Sequence, residues 1–295
     1  MATEHVPILL NEILEHLKSM SFEPCQMLDG TFGRGGHSSA ILKEFSGLKI
    51  DAFDRDQQAI DYANEHFNEY IENQRLRLFH GTFHEFENFV GESKYDVILL
   101  DLGVSSPQLD QAERGFSFYG DGPLDMRMDQ SQGITAADIL NEWDEEDLIE
   151  LFKKYGEIRS PYRVVRAVVH DRKSEPYTTT RSFASLIERV EGWRKKGTHP
   201  ATQYFLALRI GVNDEIGPLE SVIEKMVNHL NQNGEMYVIT FHSIEDRIVK
   251  WTFKNLSSLG KPKYKKVIVP SDEEMSANPR SRSAKLRIFE RSLNA

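Results

Sequence analysis

The chain has 295 residues, 39% hydrophobic and 28% charged, with 17 Phe and a mean hydropathy of −0.49, which is too aromatic for a disordered polymer and too polar for a membrane protein. No apolar run approaches the roughly 20 residues that a spanning helix needs, and a single cysteine, Cys25, excludes an internal disulfide or a multi-cysteine zinc site. The formal charge of −10 opposes a nucleic-acid partner only on average, because Arg247 to Arg291 holds 12 Lys or Arg against 4 Asp or Glu, and Lys153 to Lys196 holds 12 against 5. Such stretches are either phosphate-facing surfaces or solvated faces. Met1 to Pro7 carries no basic, apolar leader, so a cytoplasmic protein is expected.

In chain order, short apolar runs alternate with amphipathic stretches through the first hundred residues, the pattern of βαβ units. Val6 to Met20 reads as a helix, with Leu10, Ile13, Leu14 and Leu17 on one face. Gln26 to Leu28 follows as a strand, Ser38 to Phe45 as a helix, Lys49 to Phe53 as a strand and Gln57 to Tyr70 as a helix. Leu76 to His80 and Tyr95 to Leu100 are apolar enough for buried parallel strands. Gly103 to Gly133 is then too long, and too rich in Gly, Pro, Ser and Asp, for an ordinary connection. Thr135 to about Lys196 is helical, without a strand pattern. The βα rhythm returns with helices over Thr202 to Val212 and Pro218 to Leu230, a turn over Asn231 to Gly234 and a strand over Met236 to Phe241. A helix from Ser243 and a strand over Leu286 to Phe289 complete it. The economical reading is one α/β domain, 1–105 and 200–295, interrupted by a mainly helical, substrate-recognising insertion, 106–199.

Directly after the first strand stands Asp29-Gly30-Thr31-Phe32-Gly33-Arg34-Gly35-Gly36-His37. Glycines there let the backbone take positive φ and approach a ligand closely. No Gly-Lys-Ser/Thr follows, so this is not a P-loop, and the near-match to a dinucleotide fingerprint is weak by itself, leaving a plain tight turn open. Asp54, 25 residues after Asp29, sharpens the signal, because a carboxylate at the second strand end accepts both hydroxyls of a ribose. Gly81-Thr82-Phe83 and Asp101 complete a row at strand carboxyl ends, where open α/β sheets bind ligands. The row fits an adenosine with its ribose on Asp54 and its adenine against Phe83. No His-Glu-x-x-His or Cys cluster points to a metal. Phe116, Phe118 and Tyr119 fit a local core or a base-stacking platform equally. Ser243-Ile244-Glu245-Asp246 reads as a capping box with Ser243 at the N-cap.

The text from Asp101 to Gln108, Arg114 to Phe118 and Gly122 to Asp129 makes the chain resemble the RsmH (MraW) family, with further matches at His199 to Thr202, Phe241 to Arg247 and Asn278 to Arg287. The resemblance runs from His5 to Arg291. It implies a class I (Rossmann-like) S-adenosylmethionine methyltransferase fold with an inserted helical domain. The implied activity is methyl transfer from S-adenosyl-L-methionine to N4 of a cytidine in 16S rRNA, in the decoding region of the small ribosomal subunit. Cofactor contacts are implied at Gly35, Gly36, His37, Asp54, Phe83, Asp101 and Gln108. The implied partner is the subunit's rRNA, with no membrane and with a homodimer left open. The chain departs from the family at Ile158, where an acidic residue is usual, and at Leu206, where Gln is usual; no family counterpart is assigned to Leu256 to Ser276.

For the chemistry, Asp101, His242 and Ser243 are the candidate catalytic residues, around a pocket bounded by Asp101 to Gln108, the Phe116 and Phe118 loop and His242-Ser243. A stacked base must be flipped out to reach it. His242 is read either as the acceptor of the released proton or as a polar residue at a helix start. Two rival readings are an NAD-dependent dehydrogenase, which would use the same glycine loop and Asp54, and a catalytically silent RNA-binding assembly factor.

Overall fold

The computed structural model describes residues 6–192 and 199–292. Its apolar runs form seven strands: β1 (Gln26–Asp29), β2 (Lys49–Asp54), β3 (Leu76–His80), β4 (Tyr95–Asp101), β5 (Leu230–Thr240), β6 (Gly260–Pro262) and β7 (Lys285–Arg291). They make one sheet in the order β3-β2-β1-β4-β5-β7-β6, parallel from β3 through β5, with β7 antiparallel to both its neighbours. This is the class I methyltransferase arrangement implied by the resemblance. Chain order reverses between β1 and β4, and ligands of open α/β sheets bind at such a switch point, outside the strands' carboxyl ends.

Contacts divide the chain into a sheet unit, 1–103 with 217–295, and a second unit, 104–216. The return to the sheet comes at 217 rather than at 200. The reason is apolar: the helix Ala201–Asn213 buries Tyr204, Phe205, Ala207 and Leu208 with Leu151, Phe152 and Phe183 in the second unit's own core. The rest of that unit is helical, as expected, over Ala136–Glu142, Glu145–Lys154, Tyr162–Asp171 and Thr180–Ile187. The long Gly103 to Gly133 tract is folded rather than loose. Arg114, only 1% exposed, donates to the carbonyls of Arg127 and Met128 at 3.0 and 2.9 Å, and Asn213 bonds Met126 and Met128.

Other differences from the sequence reading have local causes. The first helix spans only Leu10–Lys18, because Leu9 takes a φ of +59° and its N–H donates to Glu274 Oε1 at 2.9 Å. The helix expected over Gln57 to Tyr70 breaks at Phe67, whose ring packs edge-on to Phe32 in the core. Asn231 to Gly234 is a bulge inside β5, where the register jumps from Tyr95↔Leu230 to Val97↔Glu235. Both β6 and the helix Asp272–Ala277 form where the sequence reading placed no element. Part of the basic tail is neutralised internally: Lys285 and Arg287 share Asp246 at 3.1 and 2.7 Å, and Lys263 reaches Glu235.

Three parallel strands are tied by one buried carboxylate. Asp51 on β2 accepts a bidentate pair from Arg77 on β3, both at 2.6 Å, and the Tyr95 hydroxyl of β4 at 2.7 Å. Tyr95→Phe is expected to cost about 1–2 kcal/mol, while Asp51→Ala, which orphans the buried hydroxyl as well as a partly exposed guanidinium, is expected to cost about 2–4 kcal/mol. Urea denaturation at constant m checks this. Equal midpoints for Asp51→Ala and the wild type would show the network to be worth nothing net.

Candidate active site

The turn after β1 is built by glycine. Gly33 and Gly35 take φ of +56° and +68°, and a Cβ at Gly35 would stand 2.4 Å from Phe32 Cζ and 2.5 Å from Phe67 Cζ. Gly35 is the N-cap of the helix Gly36–Glu44, whose first amides therefore receive no side-chain cap. Gly36 lies under Pro7, with 2.5 Å from its would-be Cβ to Pro7 Cγ. The next residue, His37, is buried; its Nε2 lies 3.0 Å from the Ile8 carbonyl and its Nδ1 3.7 Å from Asp101 Oδ2. A carbonyl only accepts, so Nε2 carries the proton and Nδ1 presents a lone pair to Asp101.

Three aspartates end adjacent parallel strands around this turn. Asp29, at the end of β1, is buried and accepts from Ser38 Oγ at 2.6 Å and Thr31 N–H at 3.0 Å. Asp54, at the end of β2, accepts from Gly33 N–H at 2.7 Å with one oxygen and from Asp56 N–H at 2.8 Å with the other. Asp101 ends β4; its amide donates to Thr31 Oγ1 at 2.6 Å, while its buried Oδ1 has no hydrogen-bond partner among the described residues. Phe83 opens a short 3-10 turn after β3, and a would-be Cβ on Gly30 would stand 2.4 Å from Leu100 Cδ2 and 3.1 Å from Phe83 Cβ, so a side chain there would be crowded. Burial pushes the Asp29 and Asp54 carboxyls up to about 6 and Asp101 up to about 8, where the nearby charges of Asp29 and Glu245 add to the effect. His37 is pushed down to about 4 by burial.

After β5 the structure shifts the expected helix cap by one residue. His242, not Ser243, is the N-cap of the helix Ser243–Asn255, and the box closes on Glu245. His242 Nδ1 accepts the Glu245 N–H at 3.4 Å, and Nε2 lies 2.9 Å from Glu245 Oε1 without the angle of a hydrogen bond. Glu245 Oε2 in turn accepts the Phe241 N–H at 2.9 Å. Sequence reasoning passed over Glu245, which is 1% exposed, because the string fits a cap in two frames. Ser243 is exposed at the first helical position.

The remaining expected residues belong to the second unit. Gln108 is buried and sits in a capping box, its Oε1 accepting the Ser105 N–H at 2.9 Å. Phe116 lies in the helical core and Phe118 packs against the rings of His199 and Phe205, 4.6 and 4.9 Å away, which favours the local-core reading; Tyr119 is exposed.

A family model described as the MraW methylase family matches residues 2–292. The chain is 51% identical over 290 residues to the ribosomal RNA small subunit methyltransferase H of Bdellovibrio bacteriovorus, covering 98% of this chain and 88% of that protein. It is 43% identical over 290 residues to the protein of the same name from Crocosphaera subtropica, covering 97% and 89%. Among solved structures, an rRNA methylase from Streptococcus thermophilus aligns with a TM-score of 0.45 at 11% identity, over 98% of this chain and 99% of that one.

The carboxyl row carries a pH signature. Each of the three aspartates keeps its proton in the folded chain above the ordinary value near 3.8, so the folded state binds more protons than the unfolded one and stability falls as pH rises. The fall begins near pH 4 and, through Asp101, extends to about pH 8. Asp101→Asn is expected to lower the slope of this decline throughout about pH 4 to 8, flattening it above about pH 6 and leaving below that the share supplied by Asp29 and Asp54. Melting temperature against pH reads this directly; parallel curves for the two proteins would remove Asp101 as its source.

Proposed function

The chain belongs to the MraW methylase family, and from that premise we propose that it transfers a methyl group from S-adenosyl-L-methionine to N4 of a cytidine in 16S rRNA, in the decoding region of the small ribosomal subunit. A ribosomal RNA substrate supports a cytoplasmic location for the protein. The observation that carries the reading is the row of Asp29, Asp54 and Asp101 around a left-handed glycine turn at the ends of β1, β2 and β4.

The cofactor supplies an activated methyl on a sulfonium, together with an ammonium, a carboxylate, a ribose diol and an adenine. The residues present fit those groups. Asp101 Oδ1 is a buried acceptor in need of a donor, which suits the ammonium. Asp54 keeps lone pairs beyond its two backbone bonds for the ribose hydroxyls, and Phe83 offers a half-buried ring for adenine. The amides of Gly36 and His37, which receive no side-chain cap, suit an anion, while the Gly35 amide donates to the Phe32 carbonyl at 2.7 Å. Gln108 joins this set on the family resemblance. The dehydrogenase reading, for which the same turn and Asp54 would serve, is not favoured by a family match over nearly the whole chain.

Cytosine N4 is a poor nucleophile because its lone pair is delocalised into the ring. The chain's task is therefore to hold the amine in line with the methyl carbon and to accept its proton. Asp101 is the group best placed to accept. Burial and the nearby charges of Asp29 and Glu245 push its carboxyl up to about 8, and an ammonium held beside it would favour the carboxylate that accepts the proton. His242 has both ring nitrogens turned to Glu245. We give it, with Ser243, the work of holding the turn after β5 rather than of taking the proton. The helical unit, with its Lys153 to Lys196 charge and no evident single-strand motif, recognises the assembled subunit.

Two outcomes are expected. Asp54→Ala weakens S-adenosylmethionine binding by about 1.5–3 kcal/mol, through lost charged hydrogen bonds, in calorimetry; an unchanged Kd would take the ribose off Asp54. With cofactor and subunits saturating, Asp101→Asn lowers single-turnover methylation by about 10²–10⁴-fold, and His242→Ala by far less. An equal loss in a well-folded His242→Ala protein would return the proton to the imidazole. Mapping methylated cytidines in rRNA from cells with and without the protein tests the reaction itself.

A further inference from the structure

Resting on the rRNA reading, we propose that the groove between the helix Ser243–Asn255 and the β6–β7 edge is a second RNA-binding site, which holds the backbone of a single-stranded segment beside the methylated base. The groove has a volume of about 250 Å³ and presents Lys250, Lys254, Lys265, Lys266, Arg287 and Tyr264. Arg287 is committed to Asp246, but among the described residues the four lysines have no carboxylate partner. No acidic side chain lines the groove. In a chain of net charge −10, four unpaired lysines around one groove are a local exception, and phosphates are the counterion that such a site collects.

The floor distinguishes RNA from other polyanions. Phe253, Leu286 and Ile288 make it apolar, and Tyr264, 42% exposed, offers a ring face of the kind on which bases stack. That ring is set in advance: the Tyr264 hydroxyl lies 3.2 Å from His16 Nδ1, and the two ring centroids are 5.1 Å apart. On the helix that supplies Lys250 and Lys254, Trp251 is 49% exposed, with Lys254 Nζ 4.7 Å and Lys250 Nζ 6.0 Å from its ring. Position also matters. The helix begins at His242 in the candidate active site, and at 1.5 Å per residue Lys250 and Lys254 stand about 12 and 18 Å along its axis. A strand whose base enters the site thus has a basic, aromatic track within a few nucleotides of it.

The test uses the full chain, small ribosomal subunits and a fluorescein-labelled twelve-residue oligouridylate. Lys250→Ala/Lys254→Ala/Lys266→Ala is expected to weaken oligonucleotide binding by about ten-fold or more and to reduce the log-log salt slope by about 2, at roughly 0.7 per lost contact. KM for subunits rises while kcat, cofactor affinity and melting temperature stay at wild-type values. Tyr264→Leu weakens oligonucleotide binding without changing the slope, since stacking carries no counterion. Unchanged affinity and slope in the triple variant would overturn the proposal, as would a polyglutamate peptide that binds the groove more tightly than RNA. If the wild type binds RNA through these lysines yet methylates no rRNA, the methyltransferase reading fails and the groove stands; normal methylation with an unchanged KM removes the groove alone.

Discussion

Three carboxyls crowd the ends of three adjacent strands with no lysine or arginine paired to any of them among the described residues. Everything at the site answers to that arrangement. Asp29 is quenched by a serine hydroxyl and a backbone amide, and Asp54 by two amides, so both spend their charge on fixing the glycine turn. Asp101 has no such relief for Oδ1, and it faces a neutral histidine rather than a cation. A cation placed beside Asp101 would supply a countercharge that the fold does not, so the electrostatics of the row favour a positively charged ligand.

The basic residues divide along the same line. Those on β7 serve the fold: Lys285 and Arg287 converge on Asp246 and lash the antiparallel strand to the helix Ser243–Asn255. Arg114 does comparable work in the second unit, organising two carbonyls from inside a core. Only where cations escape such partners, as along Lys250, Lys254, Lys265 and Lys266, does a run of positive charge keep its potential for an external anion. A charge count cannot make that distinction, because pairing is a matter of register between distant segments.

The sheet and the ligand end of the candidate site were legible because their signals are local. β1 to β4 announce themselves as apolar runs, and each ends on a polar or aromatic residue that the register then brings into one row. What escaped reading depends on long-range partners. β6 is three residues of unremarkable composition, a strand only because β7 is beside it. Helix Ala201–Asn213 looks like any amphipathic crossover until the core it fills is known. The Ser243 cap failed by one residue because a histidine ring nitrogen can accept an amide as a serine oxygen does, and only the buried Glu245 selects that frame.

The short segment ahead of the first helix joins the beginning of the chain to its end. Pro7 closes over Gly36 and the Ile8 carbonyl fixes the His37 tautomer, while the Leu9 amide is held by Glu274, 265 positions later. The rear wall of the glycine turn is thus pinned by a residue made long after the turn itself. During synthesis the first four strands can pair as soon as they emerge, yet the turn between them stays unbraced until Glu274 is made. A nascent chain that stops short of Glu274 would pair β1 to β4 without bracing the glycine turn, so the turn is finished well after the strands that flank it.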